Sequence, residues 1–260
     1  MKKILLALIV PFLVVSCVDD NFAPEYARPV ADSDVTVWSM GIPDFSGVVL
    51  SFDKTFLWGL SNSEGIYKLD LNGNIIEHTL AINNDFEGIT MDRNNGNIYL
   101  VEETYVANNH NSNTIYQFFP ATKELKLIFQ VDIPNSTDNK GLEGIAVVGD
   151  ELWVGNQDDP KIVMKYSLSS KKITGSLTLP WAGFINDLAY DPDDNSLWMS
   201  DTEKDRLVNF RKDGSIIKTF ATKTFISKPE GVALDKDRNC IWLSCDATGQ
   251  LAKMKYDFTK

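Results

Sequence analysis

The 260-residue sequence predicts an all-β protein, a five-bladed β-propeller of four-stranded antiparallel blades. Three observations predict it. A short motif recurs five times: Asp44-Phe45-Ser46-Gly47-Val48, Asp85-Phe86-Glu87-Gly88-Ile89, Gly141-Leu142-Glu143-Gly144-Ile145, Ile185-Asn186-Asp187-Leu188-Ala189 and Lys228-Pro229-Glu230-Gly231-Val232. Its third position, Ser46, Glu87, Glu143, Asp187 and Glu230, repeats at steps of 41, 56, 44 and 43 residues. A large aromatic (Trp58, Tyr99, Trp153, Trp198, Trp242) follows the fourth position by 9 to 11 residues each time. A period in the forties built from short strands is the mark of a radial β repeat.

Each unit reads in the same order. An apolar strand follows the motif, as in Gly144 to Val148. A polar turn comes next, such as Asp92 to Asn97 or Asp191 to Asn195, with the Asx and Gly chemistry of hairpins. The aromatic strand follows, then an alternating strand such as Ile66-Tyr67-Lys68-Leu69, then a fourth such as Leu125 to Phe129. One blade cannot cover both of its apolar faces, so the aromatics are read as the packing between blades. The fifth unit stops three strands in, near Tyr256. Val35-Thr36-Val37-Trp38-Ser39-Met40 stands upstream of the first unit where a fourth strand belongs. That N-terminal strand is expected to complete the last blade and close the ring, removing a free sheet edge.

The propeller domain is therefore placed at residues 34–260. Residues 1–16 read as a lipoprotein signal peptide. Lys2 and Lys3 precede about a dozen apolar residues, fewer than the roughly 20 that a bilayer span needs. Val14-Val15-Ser16-Cys17 resembles a lipobox, which implies cleavage before Cys17 and lipidation of that residue. Residues 17–33 hold the lipidated Cys and a flexible tether containing two Pro and several acids. Asp19 and Asp20 resemble the surface-export signal of Bacteroidota lipoproteins, and a solvated acidic linker accounts for them equally. The expected location is the cell envelope, as an outer-membrane lipoprotein open to surface export, held to the membrane by its lipid. The net charge is −11, and loss of Lys2 and Lys3 makes it two units more negative. Such a chain repels nucleic acid. A monomer is expected. Cys240 and Cys245 flank one strand with no turn between them, which keeps them too far apart for a disulfide.

The motif's third position carries the functional expectation. If it lies at the channel mouth, Glu87, Glu143, Asp187 and Glu230 converge there, with Ser46 in the first blade. Converging carboxylates either take up protons or surround a cation. Oxygen ligands without Cys or His suit a hard ion, Ca²⁺ before Mg²⁺. The alternative is that the acids accept backbone N–H groups at strand starts. A second polar set follows the aromatic strands: Asn62, Glu102, Glu103, Asn156, Gln157, Asp201 and Asp246. Glu102, Asn156 and Asp201 are the secondary metal candidates.

The units DFEGIT, GLEGIA and KPEGVALD, ending in ISKPEGVALDKDRNCIWLS, resemble the SdiA-regulated family, distant relatives of NHL-repeat propellers. The resemblance implies a five-bladed propeller with a Ca²⁺ site, and it supplies no reaction. Two functions remain. One is a membrane-anchored binding or scaffolding propeller with calcium in its channel. The other is a metal-dependent ester or lactone hydrolase using the channel ion. The binding module is preferred, because fold alone selects no chemistry. The chain has two His: His78 in a fourth-strand region and His110 in a polar Asn-rich loop. A Ser-His-Asp triad would need one of them facing the channel.

Overall fold

A computed structural model describes residues 26–103, 113–131 and 140–259. The signal peptide, Cys17, the first part of the tether and His110 lie outside the described residues. Five sheets are present, and each consists of or contains four antiparallel strands. Blade one is β3 (Gly47–Leu50), β4 (Leu57–Ser61), β5 (Gly65–Leu69) and β6 (Ile75–Ala81). Blade two is β7 (Phe86–Met91), β8 (Ile98–Glu102), β9 (Asn113–Phe119) and β10 (Glu124–Val131). Blade three is β11 (Leu142–Val148), β12 (Glu151–Asn156), β13 (Ile162–Ser167) and β14 (Lys172–Thr178). Blade four is β15 (Asp187–Asp191), β16 (Ser196–Asp201), β17 (Arg206–Arg211) and β18 (Ile216–Ala221).

Blade five takes β19 (Val232–Asp235), β20 (Cys240–Cys245) and β21 (Gln250–Lys255) from the end of the chain and β2 (Val35–Ser39) from its beginning. β2 runs antiparallel to β21, from Val35 opposite Met254 to Ser39 opposite Gln250. This is the expected clasp. Trp38 of β2 stacks on Trp242 of β20 with ring centroids 5.8 Å apart. One strand was not foreseen. β1 (Ala27–Arg28), within the segment read as tether, runs parallel to β18 at the outer edge of blade four. Two residues in a parallel bridge carry too little pattern to stand out among Pro and acidic neighbours.

The first strand of each blade is innermost. β3 packs on β7, β7 on β11, β11 on β15, β15 on β19 and β19 on β3, which closes the ring. Each interface holds its own apolar core, and each core contains one of the recurring aromatics. Trp242 lies between blades five and one, Trp58 between one and two, and Tyr99 between two and three. Trp153 lies between blades three and four, and Trp198 between four and five. All five are buried. A large flat ring at one position per blade fills the wedge between twisted sheets, which is why the aromatic keeps the period of the fold. Cys240 and Cys245 are both buried on β20 and unbridged.

Candidate functional site

The site is built by a local irregularity in the innermost strands. β7 pairs with β8 through Phe86–Glu102 and then Gly88–Val101, leaving Glu87 as an extra residue. β11 pairs with β12 through Leu142–Asn156 and then Ile145–Val154, with Glu143 and Gly144 in the interruption. A bulge breaks the alternation of a strand and re-aims the side chain it carries. The Gly after each acid permits it. A Cβ on Gly88 would strike the Glu143 carbonyl oxygen of the next blade. A Cβ on Gly144 would come within 2.9 Å of the Asp187 backbone. In blade four Leu188 replaces that Gly, and β15 pairs with β16 without interruption, Asp187 opposite Ser200.

The structure places the four predicted acids in two situations. Glu87, Glu143 and Glu230 form one electrostatic group, in which Glu87 acts on both of the others and Glu230 acts on Glu143. Burial is the largest influence on each, and it pushes each carboxyl up. Glu87 reaches about 8, with Glu103 and Asp85 adding to its rise. Glu143 is also raised by the charges of Glu87, Glu230 and Glu103. Glu230 rises under those of Glu87, Asp246 and Asp187. The groups opposing these shifts are neutral: Asn62, Ser46 and Asn186. Asn62 Nδ2 donates to Glu87 Oε1 at 3.2 Å, and Gln157 Nε2 donates to Glu143 Oε1 at 2.6 Å. Asn186 Nδ2 lies 3.5 Å from Glu143 Oε2. Glu87 and Glu143 are 9% and 5% exposed, so water does little to screen this repulsion.

Asp187 is fully buried and occupied by the backbone. Its Oδ1 accepts from Leu188 N at 2.8 Å and Ile145 N at 3.5 Å, and its Oδ2 accepts from Val232 N at 2.9 Å. One carboxylate thus ties the innermost strands of blades three, four and five. Burial pushes its carboxyl up and these three N–H groups pull it back. Asp is one methylene shorter than Glu and sits in a regular ladder, so it stays level with the strands.

The second polar set also divides. Asn62, Glu103 and Gln157 leave their strands at equivalent points, their N–H groups bonding Asp44, Asp85 and Gly141 carbonyls. Asn62 and Gln157 support the glutamates, and Glu103 lies beside Glu87. One oxygen of Asp85, Glu87 and Glu103 each falls within 4.8 Å of the others. Burial raises Glu103 to about 7 despite a bond from the Gly141 N–H. The three secondary candidates make other contacts. Glu102 accepts from Asn84 at 3.0 Å and from the Tyr116 hydroxyl at 3.0 Å. Asn156 Nδ2 donates to the Asp158 and Pro160 carbonyls. Asp201 accepts from Gly183 N and Phe184 N and pairs with buried Arg206 at 2.8 Å. Asp85, Asp44 and Asn186 went unread as site residues, although all three stand within the quoted motifs. His78 lies on outer strand β6, stacked on Tyr67 and bonded to the Glu64 carbonyl, away from the channel.

The opposite half of the channel differs in kind. A cavity of about 340 Å³ there is walled by apolar Val49, Ile89, Val147, Leu188, Val232 and Leu234, with Asp92, Arg93 and Asn94 also in its lining.

Similar folds occur among solved structures. A glutaminyl cyclase from Myxococcus xanthus is 11% identical, with a TM-score of 0.62 over 86% of this chain and 94% of that one. A gluconolactonase from Xanthomonas campestris is 12% identical, with a TM-score of 0.54 over 80% of this chain and 71% of that one. A protein of unknown function from Bacteroides thetaiotaomicron is 12% identical, with a TM-score of 0.56 over 84% of this chain and 64% of that one. At these identities the likeness is one of fold. No curated protein matches the chain in sequence. The SdiA-regulated family matches residues 36–182, from the clasp strand through blade three. That match spans more than half of the sequence, and the chain belongs to the SdiA-regulated family.

Proposed function

We propose that the acidic mouth binds a hard divalent cation, Ca²⁺, held by Glu87, Glu143 and Glu230, in a propeller that acts as a binding or scaffolding module. One observation carries this reading: burial and neighbouring carboxylates raise the proton affinity of all three, Glu87 acting on both Glu143 and Glu230, with amides and hydroxyls but no Lys or Arg among their main opposing influences. An ion would replace mutual repulsion with attraction, and oxygen-only donors from separate blades suit the irregular shell of calcium. Asp187 holds the strands behind them and adds its charge to the mouth. The same proposal places the chain in the cell envelope, tethered by a lipid on Cys17 at the outer membrane. Titrating chelator-stripped protein with CaCl₂ tests the ion. A binding isotherm weakened in Glu143→Gln supports it, and no heat or melting shift at millimolar Ca²⁺ removes it.

A second reading is supported by one feature, the buried Glu103 carboxylate oxygen that has no hydrogen-bond partner among the described residues. A free carboxylate next to a bound ion is what a metal-dependent ester or lactone hydrolase uses to move a proton. The gluconolactonase fold is consistent with that chemistry and does not select it. A panel of lactones and aryl esters, run with wild type and Glu103→Gln, separates the readings. Turnover lost in the variant favours the hydrolase; absence of turnover leaves the binding module.

A further inference from the structure

At the mouth opposite the acids, the innermost strands end on the five turns that lead into β4, β8, β12, β16 and β20. Those turns carry four cations, Lys54, Arg93, Lys236 and Arg238. Three are committed to carboxylates. Lys54 pairs with Asp237 at 2.8 Å, Lys236 with Asp191 and Asp193 at 2.6 Å each, and Arg238 with Asp235 at 3.1 Å. Arg93 forms no ion pair among the described residues. Its Nη1 donates to the Ser51 carbonyl of the neighbouring blade at 2.8 Å and lies 3.7 Å from Met91 Sδ. Its Nε and Nη2 have no partner among the described residues, so the guanidinium is held in place with much of its donor edge unused.

This arginine borders the cavity of about 340 Å³. Arg93 is exposed as a residue, yet partial burial of its guanidinium pushes it below its ordinary value, with the charge of Asp235 opposing. Asp235 does not neutralise it at contact, because its oxygens are taken by Arg238 and the Trp242 indole. Asp92, beside it, is turned into its own hairpin, where Oδ1 accepts the Asn94 N–H at 2.8 Å and Oδ2 accepts Asn95 Nδ2 at 2.6 Å. A cation partly withdrawn from water without a counter-charge is costly, and an anion supplied from outside removes that cost. The rest of the wall is aliphatic and drawn from every blade: Val49, Ile89, Val147, Ala189 and Leu234. Aliphatic walls with one fixed cation suit an apolar body with an anionic head, and a planar guanidinium matches a carboxylate with two parallel bonds.

We propose that this cavity binds an aliphatic carboxylate of medium chain length, its chain among the inner strands and its head on Arg93. The volume is at the small end of the range of about 300–1,000 Å³ for ligand pockets, which favours a chain of moderate length over a diacyl lipid. The site lies at the other end of the channel from the acids and needs no metal, so it stands or falls independently of the cation.

The experiment titrates chelator-stripped protein with octanoate by calorimetry, with hexanoate and octanol as comparison ligands. Arg93→Met removes the charge and keeps an apolar stem, while Ala189→Leu and Val147→Phe narrow the cavity; each variant is checked by its melting curve. Octanoate is expected to bind wild type at one site, about tenfold more tightly than hexanoate, since each buried methylene adds about three- to fourfold. Arg93→Met should weaken octanoate about tenfold or more and leave octanol unchanged. The narrowing variants should weaken both ligands. Should Arg93→Met fail to fold, the charge requirement is read from wild type alone, where octanoate must bind more tightly than octanol. No octanoate binding at millimolar concentration overturns the proposal. So does octanol binding as tightly as octanoate, or octanoate affinity that is indifferent to both narrowing variants.

Discussion

Glu143 shows how one side chain can be unfavourable alone and useful in company. It is 5% exposed, faces Glu87, Glu230 and Glu103, and among the described residues is supported by the amides of Gln157 and Asn186. In ion-free protein, Glu143→Gln is therefore expected to raise the melting temperature at high pH, because it replaces a carboxyl whose charged form is buried among other acids. The same substitution should reduce the stabilisation by Ca²⁺; calorimetric melts with and without the ion check both signs. Asp187 behaves oppositely. Its oxygens accept from backbone N–H groups of three blades, so Asp187→Ala strands buried donors and should cost about 1–3 kcal/mol in urea unfolding, with or without Ca²⁺. The sequence shows Asp187 at the repeat position of the glutamates and does not show this difference. The distinction depends on one methylene and on whether the strand bulges. Leu188 was the visible clue, since it stands where the other units have Gly. Glu102 and Glu103 were likewise inseparable, because which of two adjacent acids turns inward depends on where β8 ends.

Strands and motifs were the most legible level. Every innermost strand must approach its neighbour closely, and every wedge between blades must be filled, so Gly and an aromatic recur with the period of the fold. The clasp could be read because the fifth unit lacks its last strand while an unattached strand precedes the first. Five residues of β2 pair along β21, and Trp38 stacks on Trp242. Deleting residues 34–40 opens blade five and exposes β21 as an edge. The melting temperature should fall by about 10 °C or more, from several ladder bonds of about 1 kcal/mol each; an unchanged value would refute the clasp. Gly88→Ala tests the close approach of β7 and β11. A methyl there meets backbone rather than a flexible side chain, so destabilisation of about 1–3 kcal/mol is expected in denaturant melts. β1 was not legible, since a two-residue parallel bridge has no periodicity to detect.

At the scale of the whole molecule, five sheets bring to one mouth more buried negative charge than their own cations offset. Glu87 at about 8 and Glu103 at about 7 bind protons more tightly folded than unfolded, where a Glu titrates near 4.5. The folded state therefore holds more protons between those values, and stability should be highest below about pH 4.5 with respect to these groups and decline as pH rises through 7 and 8. Calcium competes with those protons, so its affinity should rise over the same interval. The single most direct measurement is the melting temperature of chelator-stripped protein across pH 5 to 8, with and without saturating Ca²⁺. A decline with pH that Ca²⁺ reverses, by a larger margin at pH 8 than at pH 5, is the predicted result. A melting temperature that is indifferent to Ca²⁺ at pH 8 would contradict the account of the mouth as a cation site.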